Sequence, residues 1–251
     1  MTSPALVAFD LDDTLAASKA AIDPRIARLL LALLSKVDVA IISGGNEAQF
    51  RSQVIAKLGD IDATAAARLH LLPTCGTRYL RWDGTGFAPV YAQDLSAEQK
   101  ARALSALREE AERLGLWEAQ PWGEILEDRG SQITFSALGQ KAPHGAKRDW
   151  DPSGAKREAL RDAVATRLPD LEVRSGGSTS IDITLAGIDK AYGMRQLAEH
   201  TGIPLTSMLF YGDRLDEGGN DYPVLAIGVP SVAVEGWEDT ADKLDALLPM
   251  L

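Results

Sequence analysis

Hydrophobic and polar positions follow two different rhythms along this chain. Residues 6–9 are an unbroken apolar run, the pattern of a strand buried on both faces. Asp23-Pro24 predicts a helix start, with a capping carboxylate before proline at the first helical position. Ile26, Leu29, Leu30 and Leu33 give that helix its apolar stripe. Residues 37–42 read as a second buried strand, Ser43-Gly44-Gly45-Asn46 as a tight turn, and Phe50, Val54 and Leu58 as one face of a second helix. Residues 70–72 make a short third strand. Strand and helix in alternation predict a parallel sheet covered by helices.

After Pro73 the rhythm changes. Residues 78–82 and 87–91 flank Asp83-Gly84-Thr85-Gly86, a hairpin signal. Residues 96–114 predict a long amphipathic helix, with Ser96 and Gln99 at capping-box spacing. Residues 125–128 and 132–138 alternate as strands, Asp151 opens a helix to Arg167, and residues 171–174 and 180–185 add two more strands. These two ββα-like blocks predict an antiparallel sheet with helices on one face. Residues 141–148, rich in lysine and proline, are expected to form a mobile loop. From Lys190 the first rhythm returns: a helix to His200, strands at 208–211 and 232–234, and a last helix capped by Asp239. The expected organisation is an α/β core, residues 1–82 and 188–251, split by an inserted α+β module, residues 83–187.

Composition narrows the partners. The chain has 251 residues, 45% hydrophobic and 25% charged, as a soluble globular protein does. Its formal net charge of -10 argues against a sequence-independent grip on nucleic acid. A phosphorylated substrate then needs local cations against the global field. Cys75 is the only cysteine, so no internal disulfide forms and no thiolate zinc cage is available. No apolar run is long enough to span a bilayer, and no basic region precedes an apolar stretch at the start. A cytoplasmic protein without membrane partners is expected.

Four separated signals point to one chemistry. Asp10 and Asp12 follow the first strand, at the edge where open α/β sheets bind ligands. Two neighbouring acids repel unless a cation neutralises them, and hard oxygen ligands suit Mg²⁺. Ser43, with Gly44 and Gly45, ends the second strand; its hydroxyl and the nearby N–H groups can hold a phosphoryl oxygen. Lys190 falls in the first turn of a helix, against the helix dipole, which an anionic partner would explain. Tyr211-Gly212-Asp213, followed by Gly218-Gly219-Asn220-Asp221, ends a third strand in an acid and a glycine-rich loop in another.

The order Asp-x-Asp-x-Thr, Ser, Lys, Gly-Asp and Asn-Asp resembles the haloacid dehalogenase (HAD) superfamily, and the insert resembles its type IIB cap. Ile41-Ile42-Ser43-Gly44-Gly45-Asn46, Pro73-Thr74-Cys75-Gly76 and Gly176-Gly177-Ser178-Thr179-Ser180-Ile181-Asp182 are similar to the eukaryotic phosphomannomutase branch. The resemblance implies a Rossmann-like core. It implies Asp10 as nucleophile carrying an aspartyl phosphate, Asp12 as acid and base, and Ser43 and Lys190 on the transferring oxygens. Mg²⁺ would sit on Asp10, the Asp12 carbonyl and Asp213, with Asn220 and Asp221 in support and the role of Asp216 open. Substrate contacts would come from Lys19, Gly44, Arg129, Lys147, Ser180 and Asp182.

The departures concern charge. The branch has Gly where Asp13 stands, and phosphate-binding arginines where Lys19, Gln140 and Lys147 stand. Leu225 and Ile227 occupy its second metal site. The expectation is a phosphatase of a small metabolite such as a sugar phosphate, with a sugar phosphomutase as the alternative and a non-catalytic binding module as the second. A homodimer paired through the caps is left open.

Overall fold

The computed structural model describes residues 3–251. The chain begins with β1 (Leu6–Phe9), buried along its whole length as its apolar run requires. Helix α1 (Pro24–Leu34) starts at Asp23, whose carboxylate accepts a bond from the Arg25 N–H at 2.7 Å. Strand β2 (Asp38–Ile42) leads into α2 (Glu47–Phe50), which runs through a π-helical turn (Arg51–Ile55) into α3 (Ala56–Leu58). A short helix α4 (Ala63–Ala67), unanticipated from the sequence, precedes β3 (Leu69–Leu72). Then come β4 (Arg78–Trp82) and β5 (Phe87–Ala92).

The second part contains α5 (Ala97–Arg113), β6 (Leu126–Asp128), β7 (Ile133–Ser136), α6 (His144–Trp150), α7 (Ala155–Arg167), β8 (Leu171–Ser175) and β9 (Ser180–Leu185). Ser96 and Gln99 close the capping box at α5. Where a mobile loop was expected, residues 144–150 form α6. The chain ends with α8 (Lys190–Thr201), β10 (Met208–Gly212), α9 (Tyr222–Ala226), β11 (Ser231–Ala233) and α10 (Trp237–Leu247). Asp239 lies inside the first turn of α10 rather than at its cap, and its carboxylate accepts from the Glu235 N–H at 3.0 Å.

Two compact units result, one running to Ala92 and resuming from Asp189 to Leu251, the other Gln93–Ile188. The first holds a seven-stranded sheet in the order β11-β10-β1-β2-β3-β4-β5. The five strands from β11 to β3 are parallel; β4 and β5 add antiparallel. The hairpin of residues 78–92 therefore belongs to the core sheet, and the boundary falls after residue 92, not after 82. Leu80 pairs with Leu71 across β3 and β4, a long-range register that the local pattern does not carry. Side chains alternate between two cores: Val7, Phe9, Val39 and Ile41 on one face, Leu6, Ala8, Ala40 and Ile42 on the other.

The second unit is an antiparallel sheet in the order β6-β7-β9-β8. Ile133, Phe135, Ile181 and Ile183 share a core with Leu107 of α5 and Leu160 and Val164 of α7. The alternate positions are polar. Glu127, Thr134, Asp182 and Arg174 form one register row across all four strands.

A close backbone approach fixes α8 in the first unit. A Cβ on Gly193 would lie 2.4 Å from Ile42 Cδ1 and 2.7 Å from the Cys75 carbonyl oxygen. Overpacking of this kind costs about 1–3 kcal/mol. Gly193→Ala is expected to lower the urea unfolding midpoint accordingly, with the denaturant slope unchanged; an unchanged midpoint would show that α8 shifts freely.

Candidate active site

The carboxyl ends of β10, β1 and β2 lie side by side, so Asp213, Asp10 and Ser43 leave one edge of the sheet at neighbouring positions. The chain departs from β1 to opposite sides at this point, which is where open α/β sheets bind their ligands. Asp10 is almost fully buried, and its N–H donates to the Tyr211 carbonyl at 2.9 Å.

Lys190 is the first residue of α8 and is 1% exposed. Its Nζ lies 2.6 Å from Asp10 Oδ1 and 2.6 Å from Asp221 Oδ1. These anions account for an ammonium at the wrong end of a helix dipole. The other oxygen of Asp221 accepts from the Arg214 N–H at 3.1 Å. Asp221 is thus engaged on both oxygens and orients Lys190. The Thr14 hydroxyl donates to Asp213 Oδ1 at 3.4 Å, from a fully buried position. Thr14 stands in the Asp-x-Asp-x-Thr motif, yet the sequence alone assigned it no role.

Electrostatics follow from burial and like charge. Burial pushes the Asp10 carboxyl well above the usual range; Lys190 pulls it back, and Asp221 and Asp213 push it up again. Burial raises Asp213 as well, and Asp221 adds to that. Burial alone would lower Lys190, but Asp10 and Asp221 outweigh it and hold the ammonium above its ordinary range.

Ligating oxygens of Asp10, Asp213 and Asp221 lie within 4.8 Å of one another. Three ionised carboxylates facing one ammonium leave negative charge unmatched, and all the donors are hard oxygens. The residues present therefore fit a divalent cation such as Mg²⁺. Asn220, beside Asp221, is exposed. The carboxylate of Asp12 stands apart from this cluster, accepting from the Lys19 N–H at 2.5 Å.

Ser43 is buried, and its Oγ accepts from the Gly45 N–H at 3.1 Å, which leaves the hydroxyl proton for another acceptor. The carbonyls of Ser43 and Gly45 accept from the N–H groups of Cys75 and Thr74, both at 2.9 Å. Thr74, Cys75 and Gly76 all have left-handed backbone, with φ of 49°, 55° and 83°. Such strain persists only where the surroundings hold it, and here it braces the Ser43-Gly44-Gly45 loop.

The remaining expected contacts lie elsewhere in the chain. Lys19 is exposed in the loop after β1, with φ of 60°. In the second unit, Asp182 Oδ1 accepts from Gln132 Nε2 at 2.8 Å and from Thr134 Oγ1 at 2.7 Å. Ser180 Oγ is 3.4 Å from Ser136 Oγ. Arg129 directs Nε and Nη2 onto one oxygen of Glu127, at 3.0 and 2.8 Å. Lys147 is half-buried on α6. Gln132, Thr134 and Glu127 escaped the sequence reading, although period-two alternation places them on the face of Asp182.

Comparison with known proteins agrees with this geometry. Plasmodium falciparum IMP-nucleotidase shares the fold at a TM-score of 0.72 and 15% identity, over 99% of this chain and 69% of the other. A haloacid dehalogenase-like hydrolase from Bacteroides thetaiotaomicron does so at 0.66 and 14%, over 98% and 100%. A phosphomannomutase of Encephalitozoon cuniculi is 24% identical over 260 residues, 96% of this chain and 92% of the relative. A probable phosphomannomutase of Caenorhabditis elegans is 25% identical over the full length of both. Fold and site define a phosphoryl-transfer enzyme of the haloacid dehalogenase superfamily. Residues 119–250 match the model of the eukaryotic phosphomannomutase family, and the chain belongs to that family.

The raised Asp213 gives a pH-dependent test. A carboxyl raised in the fold is disfavoured as the anion, so its stabilising share is full below the unfolded pKa and is lost as pH rises through the folded one. Asp213→Asn removes that loss. In EDTA the variant is expected to melt above wild type at pH 7.5 and to converge with it as pH falls through the carboxylate range. Added Mg²⁺ should then raise the wild-type melting temperature more than the variant's. Differential scanning fluorimetry reads both effects.

Proposed function

We propose that this chain hydrolyses a small phosphorylated metabolite, of the sugar-phosphate kind, through an aspartyl phosphate on Asp10. The chemistry rests on the buried Lys190 ammonium held at 2.6 Å from both Asp10 and Asp221. That arrangement keeps a fixed cation beside an anionic nucleophile, where a phosphoryl group brings further negative charge.

The Asp10 carboxylate attacks phosphorus as the bond to the leaving oxygen breaks, and Asp12 gives that oxygen a proton. Asp12 then takes a proton from water, whose oxygen attacks phosphorus and releases phosphate from Asp10. Lys190 and the Ser43 hydroxyl hold the transferring oxygens, and Gly44 lets the loop backbone approach them. Mg²⁺, when bound through Asp10 and Asp213, offsets the charge that gathers on the phosphoryl group. The unit of residues 93–188 selects the substrate, with Ser180 and Asp182 on its polar face.

One observation favours water as acceptor: Arg129, 7% exposed in its side chain, already faces Glu127. A mutase must hold a bisphosphorylated intermediate, which needs unspent cations at the end of the sugar away from Asp10. Gln140 carries no charge, and Lys147 and Lys19 lack the planar fork of arginine. Family membership favours the second reading, a sugar phosphomutase.

One experiment separates them. Mannose 6-phosphate or glucose 1-phosphate is incubated with the protein, Mg²⁺ and a catalytic amount of hexose bisphosphate, while free phosphate and isomer are followed together. Free phosphate without isomer is expected, and isomer without phosphate would overturn hydrolysis. Asp10→Asn should lower turnover by on the order of 10³-fold or more. No phosphate from a broad panel of sugar phosphates and nucleoside monophosphates, together with no acid-stable phosphoenzyme, would leave a binding module.

A further inference from the structure

We propose that Asp13 is a positioning residue for Asp12, and that the two adjacent carboxylates together aim the proton donor at the leaving oxygen. This rests on the roles given above to Asp10 and Asp12.

The loop after β1 is closed by its own acids. Asp12 Oδ1 accepts from the Lys19 N–H at 2.5 Å, and Asp13 Oδ1 accepts from the Ser18 N–H at 3.1 Å. Consecutive carboxylates therefore hold consecutive amides on the returning limb. The Asp13 N–H donates to the Ala16 carbonyl at 2.6 Å, and Asp12 and Ala16 form an isolated parallel bridge. Thr14, Leu15 and Ala16 are buried and anchor the loop from below.

Two backbone conformations make the arrangement specific. Asp13 and Lys19 both have left-handed backbone, with φ of 58° and 60°. Aspartate tolerates that region better than most residues, because a short polar side chain bonds locally. Lysine does not, so its conformation must be imposed by neighbours. The Asp13 bond to Ser18 fixes the peptide that leads into Lys19. It thereby fixes the direction of the Lys19 N–H, on which Asp12 rests. Glycine at position 13 would satisfy the backbone angle but could not hold Ser18. With Oδ1 of Asp12 occupied as an acceptor, its second oxygen is the one left to carry the proton. That proton passes to the leaving oxygen as the P–O bond breaks and the bond from Asp10 forms.

A loosened proton donor has a signature that general loosening lacks. An ester with a poor leaving group needs the acid, whereas nitrophenolate departs without it. The measured quantity is kcat/KM for phenyl phosphate and p-nitrophenyl phosphate, because it reports only the steps through phosphorylation of Asp10. Asp13→Gly is expected to lower the phenyl phosphate value on the order of tenfold, and the p-nitrophenyl phosphate value less than about twofold. Asp13→Asn keeps an acceptor for Ser18 and tolerates the same backbone, so it should stay within about twofold of wild type on both. Melting curves confirm that each variant is folded at the assay temperature. Equal losses on the two esters, no loss in Asp13→Gly, or an Asp13→Asn variant that behaves like glycine would each overturn the proposal. Wild-type protein that cleaves neither ester and forms no phosphorylated Asp10 would instead defeat the underlying reading, and the inference with it.

Discussion

Three carboxylates meet one ammonium at the carboxyl edge of the seven-stranded sheet, and the rest of the first unit serves that meeting. Coulomb forces strengthen as water is excluded, so Lys190 between Asp10 and Asp221 is tightly held. Desolvation offsets much of that gain, and a buried ion pair is weak evidence of stability. Asp10 and Asp213 are both pushed towards their neutral forms, so the folded state bears a cost here. A fold accepts such a cost where chemistry needs it. The constraint explains details that would otherwise be arbitrary. The first residue of α8 must reach the end of β1, so Gly193 and Gly76 let α8 lie directly on the 74–76 corner. That same corner braces the Ser43 loop through two backbone bonds. Nucleophile, cation and hydroxyl are therefore fixed by one set of contacts.

The second unit arranges polarity differently. Its helices cover one face of the sheet, and the opposite face carries Thr134, Asp182, Ser136 and Ser180 at alternate positions. Asp182 is satisfied by two neighbours on β7, which fixes its direction before any ligand arrives. Preorganisation of this kind suits recognition of hydroxyl-rich molecules, because partners held in place lose little freedom on binding.

Much of this was legible in residue order. The apolar run of β1 ending in Asp10 is a local pattern, and so is the Asp23-Pro24 start of α1. Lys190 was legible by contradiction, since a cation opening a helix demands an anion. What escaped depends on contacts between distant residues. The 78–92 hairpin has the same local pattern whichever sheet it joins, and only the pairing of Leu80 with Leu71 assigns it to the core. Pro143 and Gly145 argued for a loop at α6, yet Pro143 serves as the helix cap. The partners of Asp182 required the register between β7 and β9, which no single strand contains. Glu127 was within reach, two residues before Arg129 on an alternating segment. Its weight becomes visible only when the guanidinium is found on its carboxylate.

That ion pair bears on the choice of acceptor. Both acceptors use the same core, so Asp10, Lys190 and Asp213 cannot distinguish a hydrolase from a mutase. The difference lies in what happens while Asp10 carries phosphate. A hydrolase admits water. A mutase must keep the phosphorylated sugar bound, turn it, and present its second oxygen, and the grip must come from cations against a net charge of -10. An arginine facing a glutamate has already given part of its field to a neighbour, and an anionic ligand must compete for the remainder. Glutamate at position 127 and glutamine at 140 each reduce the attraction for a second phosphate, while neither disturbs attack at the first. Loss of grip at the far end, with the nucleophile intact, leaves water as the acceptor that requires nothing further of the protein.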